Sequence, residues 1–296
     1  MEASPPATPS ASRLLAPNAR NVFLRLLLTS RPLGWVASVG LFRIGMAYAD
    51  TPDTPATVAL SIALSWPFCL YLFGLNDLAD TASDTLNPRK GSWIHGARFP
   101  ETPSRLAHAA PWAGGAIVLA SATLVPPRAA LILAAILLVG WMYSSPPLRL
   151  KEIPIIDGLC TAVIMIGLLG AGYACGAPLV NIPAESYAVA PTLAGLHIFA
   201  SVVDVDGDRI AGHKTLAVRS GPRTASVVAL LLSLLTTATV PILWYAPPIA
   251  AYVLLQPVVF TVSLVAPKLL PPRRALVVAG IAGIATILHL ALVYLR

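Results

Sequence analysis

The chain has 296 residues, 56% of them hydrophobic and only 11% charged, with a mean hydropathy of +0.76 and a formal net charge of +7. Roughly a quarter of the residues of an ordinary soluble domain are charged, so this composition excludes one and points to an integral membrane protein. The positive balance does not indicate nucleic acid, because so apolar a chain has no room for a soluble face on which those charges could gather.

Residues 1–18, MEASPPATPSASRLLAPN, are rich in Pro, Ser and Ala without periodicity and lack the apolar segment of a signal peptide. They read as a disordered tail, taken to cover residues 1–20, ahead of a single membrane domain over 21–296. Apolar runs then recur at 33–49, 56–75, 106–124, 129–143, 155–175, 187–203, 225–245, 249–266 and 275–295. Each approaches the ~20 residues that cross ~30 Å of hydrocarbon as a helix. They are continuously apolar rather than alternating with period two, which predicts helices and not a barrel. The expected fold is therefore an all-α integral membrane protein with nine transmembrane helices. Cys69, Cys160 and Cys175 fall inside predicted spans without metal-ligand spacing and read as packing residues.

Charge sets the orientation. With the N-terminus in the cytoplasm, seventeen of the twenty Lys and Arg residues lie in the tail and the even-numbered connections. The far side receives Arg128 and Arg296, while Arg43 falls inside the first span. This is the positive-inside asymmetry, and the expected location is a bacterial cell membrane with the N-terminus cytoplasmic. Arg43 has two readings: it faces a cavity, or it snorkels to the far interface.

The second apolar run ends in NDLADTASD, from Asn76 to Asp84. At ~100° per residue, Asn76, Asp77, Asp80 and Asp84 share an arc of roughly 100° on a helix. Alone, this is consistent with a solvated end of the span. A second cluster, DVDGDRIAGHKTL from Asp204 to Leu216, follows the sixth run; Asp204 and Asp208 stand about 40° apart and Asp206 points away. Both clusters close even-numbered spans, so they occupy the same layer of the membrane. An aspartate at the centre of a membrane helix costs about 2.5–3.5 kcal/mol, and acids reaching into a bundle need a partner that also offsets their mutual repulsion. Mg2+ fits, since it takes a few carboxylates, keeps waters and bridges to phosphate oxygens. Bases follow the acids: Arg89 and Lys90 in NPRKG, Arg209 and Lys214 after the second cluster, and Arg149 and Lys151 in YSSPPLRLK. The positive-inside rule accounts for their side of the membrane but not for their place directly after aspartate motifs. Acids that hold metal beside bases that hold phosphate describe a diphosphate site.

NDLADTASD fits the pattern NDxxDxxxD and DVDGD fits DxxxD, with YSSPPLRLK and GHKTLAVRSG between and after them. Together they resemble the UbiA superfamily of intramembrane prenyltransferases, from about Arg31 to the C-terminus. The resemblance implies a nine-helix bundle around a lateral cavity, capped on the cytoplasmic side by the loops after the second and sixth spans. It implies that Asn76, Asp77, Asp80, Asp84, Asp204 and Asp208 hold Mg2+ and through it the diphosphate. Arg89, Lys90, Tyr143, Lys151, Arg209 and Lys214 would touch the diphosphate directly. The implied reaction is Mg2+-dependent transfer of a prenyl group from a polyprenyl diphosphate to a lipophilic acceptor, either an aromatic or quinone precursor or a carotenoid. TLNPRKG resembles the carotenoid-directed branch more than the hydroxybenzoate one. Trp66, Phe68, Tyr71, Phe73, Trp141 and Tyr143 are candidates to line an allylic cation. Arg31 either meets an acceptor carboxylate or is a positive-inside anchor. A cyclase that ionises a prenyl diphosphate without a separate acceptor, and a cation or organic-anion transporter, are the alternatives.

Overall fold

The computed structural model describes residues 19–81, 104–243 and 247–294, and among them there is no strand. Residues 1–18 of the tail expected over 1–20, and with them Asp84, Arg89 and Lys90, lie outside the described residues, while Ala19 and Arg20 open a helix. The helices are α1 (Ala19–Thr29), α2 (Pro32–Tyr48), α3 (Pro55–Ala63), α4 (Trp66–Ala79), α5 (Arg105–Ala122), α6 (Pro127–Ser144) and α7 (Ile156–Gly176). They continue as α8 (Glu185–Ala188), α9 (Ala190–Ile210), α10 (Leu216–Ser220), α11 (Pro222–Leu243), α12 (Pro247–Val265) and α13 (Pro272–Tyr294). Proline in the first turn opens α2, α3, α4, α6 and α9, where its fixed φ suits the helix and its missing N–H goes unused. Thr54 and Thr57 add a reciprocal capping box at the start of α3.

Within the described residues, every apolar run expected from the sequence falls on helix. Six helical stretches are long and apolar enough to cross a membrane, Pro55–Ala79 counting α3 and α4 as one, and up to seven if α1 and α2, bent by 48°, form one span. That is fewer than the nine expected. Arg105, His108, Gly114 and Gly115 dilute α5, and the apolar part of α12 runs only over Ala251–Val265. The outward surface is apolar: Ile62, Leu131, Val180, Leu231 and Ile281 are each 60% exposed or more, which suits a lipid solvent and no aqueous one. The protein is an integral membrane protein.

Helices α2, α7, α9, α11, α12 and α13 contact one another in sequence, and α13 returns to α2. Helices α4, α5 and α6 pack together beside α2 and α7. Membrane helices gain most where small residues let backbones meet, and α2 and α7 do this twice. A Cβ on Gly45 would stand 1.9 Å from the Leu169 carbonyl oxygen, and one on Gly172 1.9 Å from that of Phe42. This contact locks the helix bearing Asp157 to the helix that follows Arg31.

The contacts also define two ends. Arg31, the end of α4, the 149–152 segment and His213 meet at one. At the other, Arg43 pairs with Asp53 in the α2–α3 connection, Nη2 to Oδ2 at 2.8 Å, and Arg128 Nε donates to the Ala174 carbonyl at 2.6 Å. Arg43 therefore reaches out of its span to the far interface, the second of its two readings.

Candidate active site

Helix α4 carries the first motif only as far as Ala79, with Asp80 as its C-cap residue. Asn76, Asp77 and Asp80 thus keep the expected helical order. The continuation of that face to Asp84 falls outside the described residues. Asp77 is fully buried and accepts a hydrogen bond from Arg31 Nη2 at 3.0 Å. The Arg31 guanidinium in turn lies 4.3 Å above the Phe73 ring, one turn back on α4, so a cation–π contact and an ion pair fix it together. Arg31 is thus the counter-ion of Asp77 in the first motif.

Asp80 gathers bases from elsewhere in the chain. Lys151 Nζ donates to its Oδ2 and, at 3.1 Å, to Asn76 Oδ1. Arg149 Nη2 donates to Asp80 Oδ1 at 3.2 Å, its Nη1 to the Ala79 carbonyl at 3.3 Å and its Nε to Glu152 Oε1 at 2.8 Å. The Lys151 ammonium is nearly buried in this contact. The backbone is strained to allow it. Of the four non-glycine residues with positive φ among those described, Arg31, Arg149 and Ile155 flank this end and only Asp50 lies at the other. Such strain persists where surrounding contacts over-determine the geometry and concentrates at functional sites.

The second motif arrives by a helix end that turns back. Gly212 sits at φ 75°, Gly212 N–H bonds the Arg209 carbonyl, and His213 N–H bonds the Asp208 carbonyl at 2.9 Å. This is a Schellman ending, for which glycine is the low-cost residue. It returns the chain so that His213 Nε2 lies 4.0 Å from Asp80 and its Nδ1 3.5 Å from Glu152. Two residues on, Thr215 Oγ1 donates to Asp208 Oδ2 at 3.2 Å. The ends of α4 and α9 are thereby brought to one place. Asp206 points outward as expected; its side chain is 90% exposed and meets Arg209, itself 59% exposed, at 3.4 Å. Arg209 and Lys214 are exposed, whereas Lys151 is nearly buried at the centre of the Asp80 cluster.

The aromatic candidates divide. Phe68 and Tyr71 are core residues, the Tyr71 hydroxyl donating to the Leu137 carbonyl at 2.9 Å. Trp66 packs edge-on against Phe23, Trp141 packs against the core, and Phe73 carries Arg31. Tyr143 alone among them reaches a polar partner near the motifs, His197 Nε2 at 3.0 Å. Sequence spacing gives no sign of Glu152, His197 or Asp157 as site neighbours, since each depends on which segments the fold brings together.

Among the described residues no three His, Cys, Asp or Glu side chains converge closely enough to cage a metal ion. The donors at this end are oxygens of Asn76, Asp77, Asp80, Asp204 and Asp208. That set fits Mg2+, which is bound through one or two carboxylates plus substrate phosphates rather than by an all-protein cage.

A family model for the UbiA prenyltransferase family matches residues 35–274. The chain belongs to that family. Like its fellow members it is a prenyltransferase, so the transporter alternative falls. Similar UbiA relatives include a lycopene elongase/hydratase of Haloarcula japonica, 32% identical over 66% of this chain and 67% of that protein. One of the same description from Halobacterium salinarum is 30% identical over 73% and 78%. In fold, the chain matches a UbiA homologue from Archaeoglobus fulgidus bound to DMAPP and Mg2+ with a TM-score of 0.71, at 23% identity over 89% of this chain and 99% of that one.

Proposed function

We propose that this protein transfers a prenyl group from a prenyl diphosphate to a carotenoid of the lycopene type, with the diphosphate held through Mg2+ at the two aspartate motifs. The observation that carries the acceptor is the similarity, over two thirds or more of their length, to proteins described as lycopene elongase/hydratase. Asn76, Asp77, Asp80, Asp84, Asp204 and Asp208 would hold the ion, with Arg89, Lys90, Lys151, Arg209 and Lys214 as the basic residues of the diphosphate. When bound, Mg2+ supplies positive charge against the charge that develops on the departing diphosphate.

The chain's own residues do the rest. Lys151 and Arg149 sit on Asp80 with ammonium and guanidinium donors beside the acids, so a diphosphate meeting Asp80 meets both bases as well. Arg31 holds Asp77 in one orientation. Asn76 is oriented by Lys151. Tyr143 lies just inside this cap, where the allylic cation left by ionisation needs an electron-rich, water-poor wall.

The nine-span reading, with a cavity open laterally to lipid, serves this chemistry because the prenyl tail and the carotenoid are both lipid-soluble while the diphosphate is not. The charge asymmetry supports a cytoplasmic cap. Val180 is 89% exposed in the connection after α7, and Leu269 is 76% exposed in the connection after α12 at the opposite end. In a variant without native cysteines, Val180→Cys should react with an impermeant thiol reagent on intact cells and Leu269→Cys only after permeabilisation; the reverse pattern overturns the orientation. For the reaction, purified protein in lipid nanodiscs with Mg2+, lycopene and dimethylallyl diphosphate should give a carotenoid heavier by one prenyl unit. Diphosphate release with no carotenoid adduct would remove lycopene as the acceptor and leave the cyclase alternative.

A further inference from the structure

We infer that Tyr143, His197 and Asp157 form a proton relay that accepts the proton lost when the prenylated cation becomes an olefin. The inference rests on the prenyl-transfer reading above and adds to it the group that ends the reaction.

Three helices converge to build the relay. Tyr143 is in the last turn of α6, Asp157 in the first turn of α7 and His197 two turns before Asp204 on α9. Helix α7 packs against both α6 and α9. The α7–α9 contact is close at this level: a Cβ on Gly158 would lie 2.8 Å from the Ala194 carbonyl oxygen and 3.0 Å from the Ile198 side chain, the residues flanking His197 on its helix. Asp157 is buried, accepts from the Gly158 N–H at 2.7 Å, and interacts electrostatically with His197. The Tyr143 hydroxyl lies 3.0 Å from His197 Nε2 and within electrostatic reach of Asp80 and Asp157. A hydroxyl thus hydrogen-bonds an imidazole whose helix packs closely on the one carrying the buried Asp157 carboxylate. A tyrosine–histidine–aspartate set inside a membrane bundle is expensive unless it has a use.

Prenyl transfer to an olefin supplies that use. The π electrons of the acceptor double bond form the new C–C bond to C1 of the allylic cation and leave a tertiary cation on the acceptor. A neighbouring C–H bond then breaks, its electron pair becomes the new double bond, and its proton passes to Tyr143 Oη as the hydroxyl's own proton moves to His197 Nε2. The imidazolium so formed is favoured by the negative charge of Asp157 on the neighbouring helix and returns its proton to water after product leaves. This requires the histidine tautomer with Nε2 unprotonated, in which the other ring nitrogen carries the hydrogen. Tyr143 is the catalytic residue that meets the substrate. His197 takes the proton through it, and Asp157 is a positioning residue.

The test is a partition ratio. Purified wild type, His197→Gln, Tyr143→Phe and Asp157→Asn are incubated with Mg2+, geranyl diphosphate and lycopene. Products are sorted into olefins, formed by proton loss, and alcohols, formed by water capture, whether or not they contain the carotenoid. Loss of a general base costs about a hundredfold or more in proton transfer, so the olefin-to-alcohol ratio should fall at least roughly tenfold in His197→Gln and Tyr143→Phe and by less in Asp157→Asn. Diphosphate release should fall by a smaller factor than olefin formation. A ratio equal to wild type in both His197→Gln and Tyr143→Phe overturns the relay. Tyr143→Phe removes one hydroxyl only and carries the test if His197→Gln does not fold. Absence of a carotenoid adduct from wild type would count against the acceptor, while the ratio among geranyl-derived products still reads the relay.

Discussion

The acids at the end of α4 are held by bases recruited from two other segments of the chain, whereas the second motif's Asp208 accepts from a threonine of its own returning loop. Asp77 is buried against Arg31, and Asp80 is gripped by Lys151 and Arg149. In the second motif, Asp208 accepts from Thr215 seven residues away and Asp206 stands in solvent. The first motif is therefore part of how the bundle is tied together. In the second motif, the hydrogen bond from Thr215 to Asp208 ties the returning loop to its own helix end.

That difference can be broken or sharpened by substitution. The largest effect separates two acids of the second motif: Asp208→Ala should lower turnover by roughly a thousandfold, within the range of several kcal/mol expected for lost metal or electrostatic stabilisation of a leaving group, while Asp206→Ala stays within about twofold, as an exposed pair allows. Steady-state diphosphate release checks both, and equal losses would mean that α9 presents a different face. Asp77→Ala should also stop turnover, but with a cost to the fold of about 3 kcal/mol, because a largely buried Arg31 is left without its partner. Thermal unfolding in detergent reads this, and a melting point as high as that of Asp208→Ala would contradict the structural role given to the first motif. Arg31→Lys keeps the charge but loses the planar stack on Phe73 and the fork that meets Asp77, and should cost about 1 kcal/mol.

The smallest effect lies at the far end and calibrates the others. The hydrogen bond from Arg43 holds the Asp53 carboxyl below its ordinary range. A depressed folded-state value means that the pair's contribution is present at neutral pH and disappears as pH falls through that lowered value. Asp53 is more than half exposed, so Asp53→Asn should cost less than about 1 kcal/mol. The melting-point gap to wild type should close in acid; a gap that persists unchanged there would show that the carboxylate charge is not its source.

Much of this was legible in the sequence because lipid is an exacting solvent. Continuous apolar runs fall on helices, and the charge asymmetry separates two ends that the contacts of Arg31, Arg43, Asp53, Arg128 and Lys151 also separate. The spacing of Asn76, Asp77 and Asp80, and of Asp204 and Asp208, is a helical property and survives into the fold. What spacing cannot carry is which base meets which acid. Lys151 reaches Asn76 across 75 positions and Arg31 reaches Asp77 across 46; these pairings depend on which helices are neighbours. The same holds for Tyr143 and His197, 54 positions apart. Helix α1 escaped the hydropathy reading because, though amphipathic, it is short and not strongly apolar. Arg43 was ambiguous because its answer, Asp53, sits in a connection whose geometry is set by the capping box at Thr54.

The central claim is that the aspartates act on the substrate through a metal ion and not by direct contact. It is tested most directly by diphosphate release from geranyl diphosphate by purified protein, before and after thorough chelation with EDTA and after Mg2+ is restored. Chelation should abolish release and Mg2+ should restore it in wild type, while Asp208→Ala should stay roughly a thousandfold below wild type at the same Mg2+ concentration. Undiminished release after chelation would contradict the metal-bridged site.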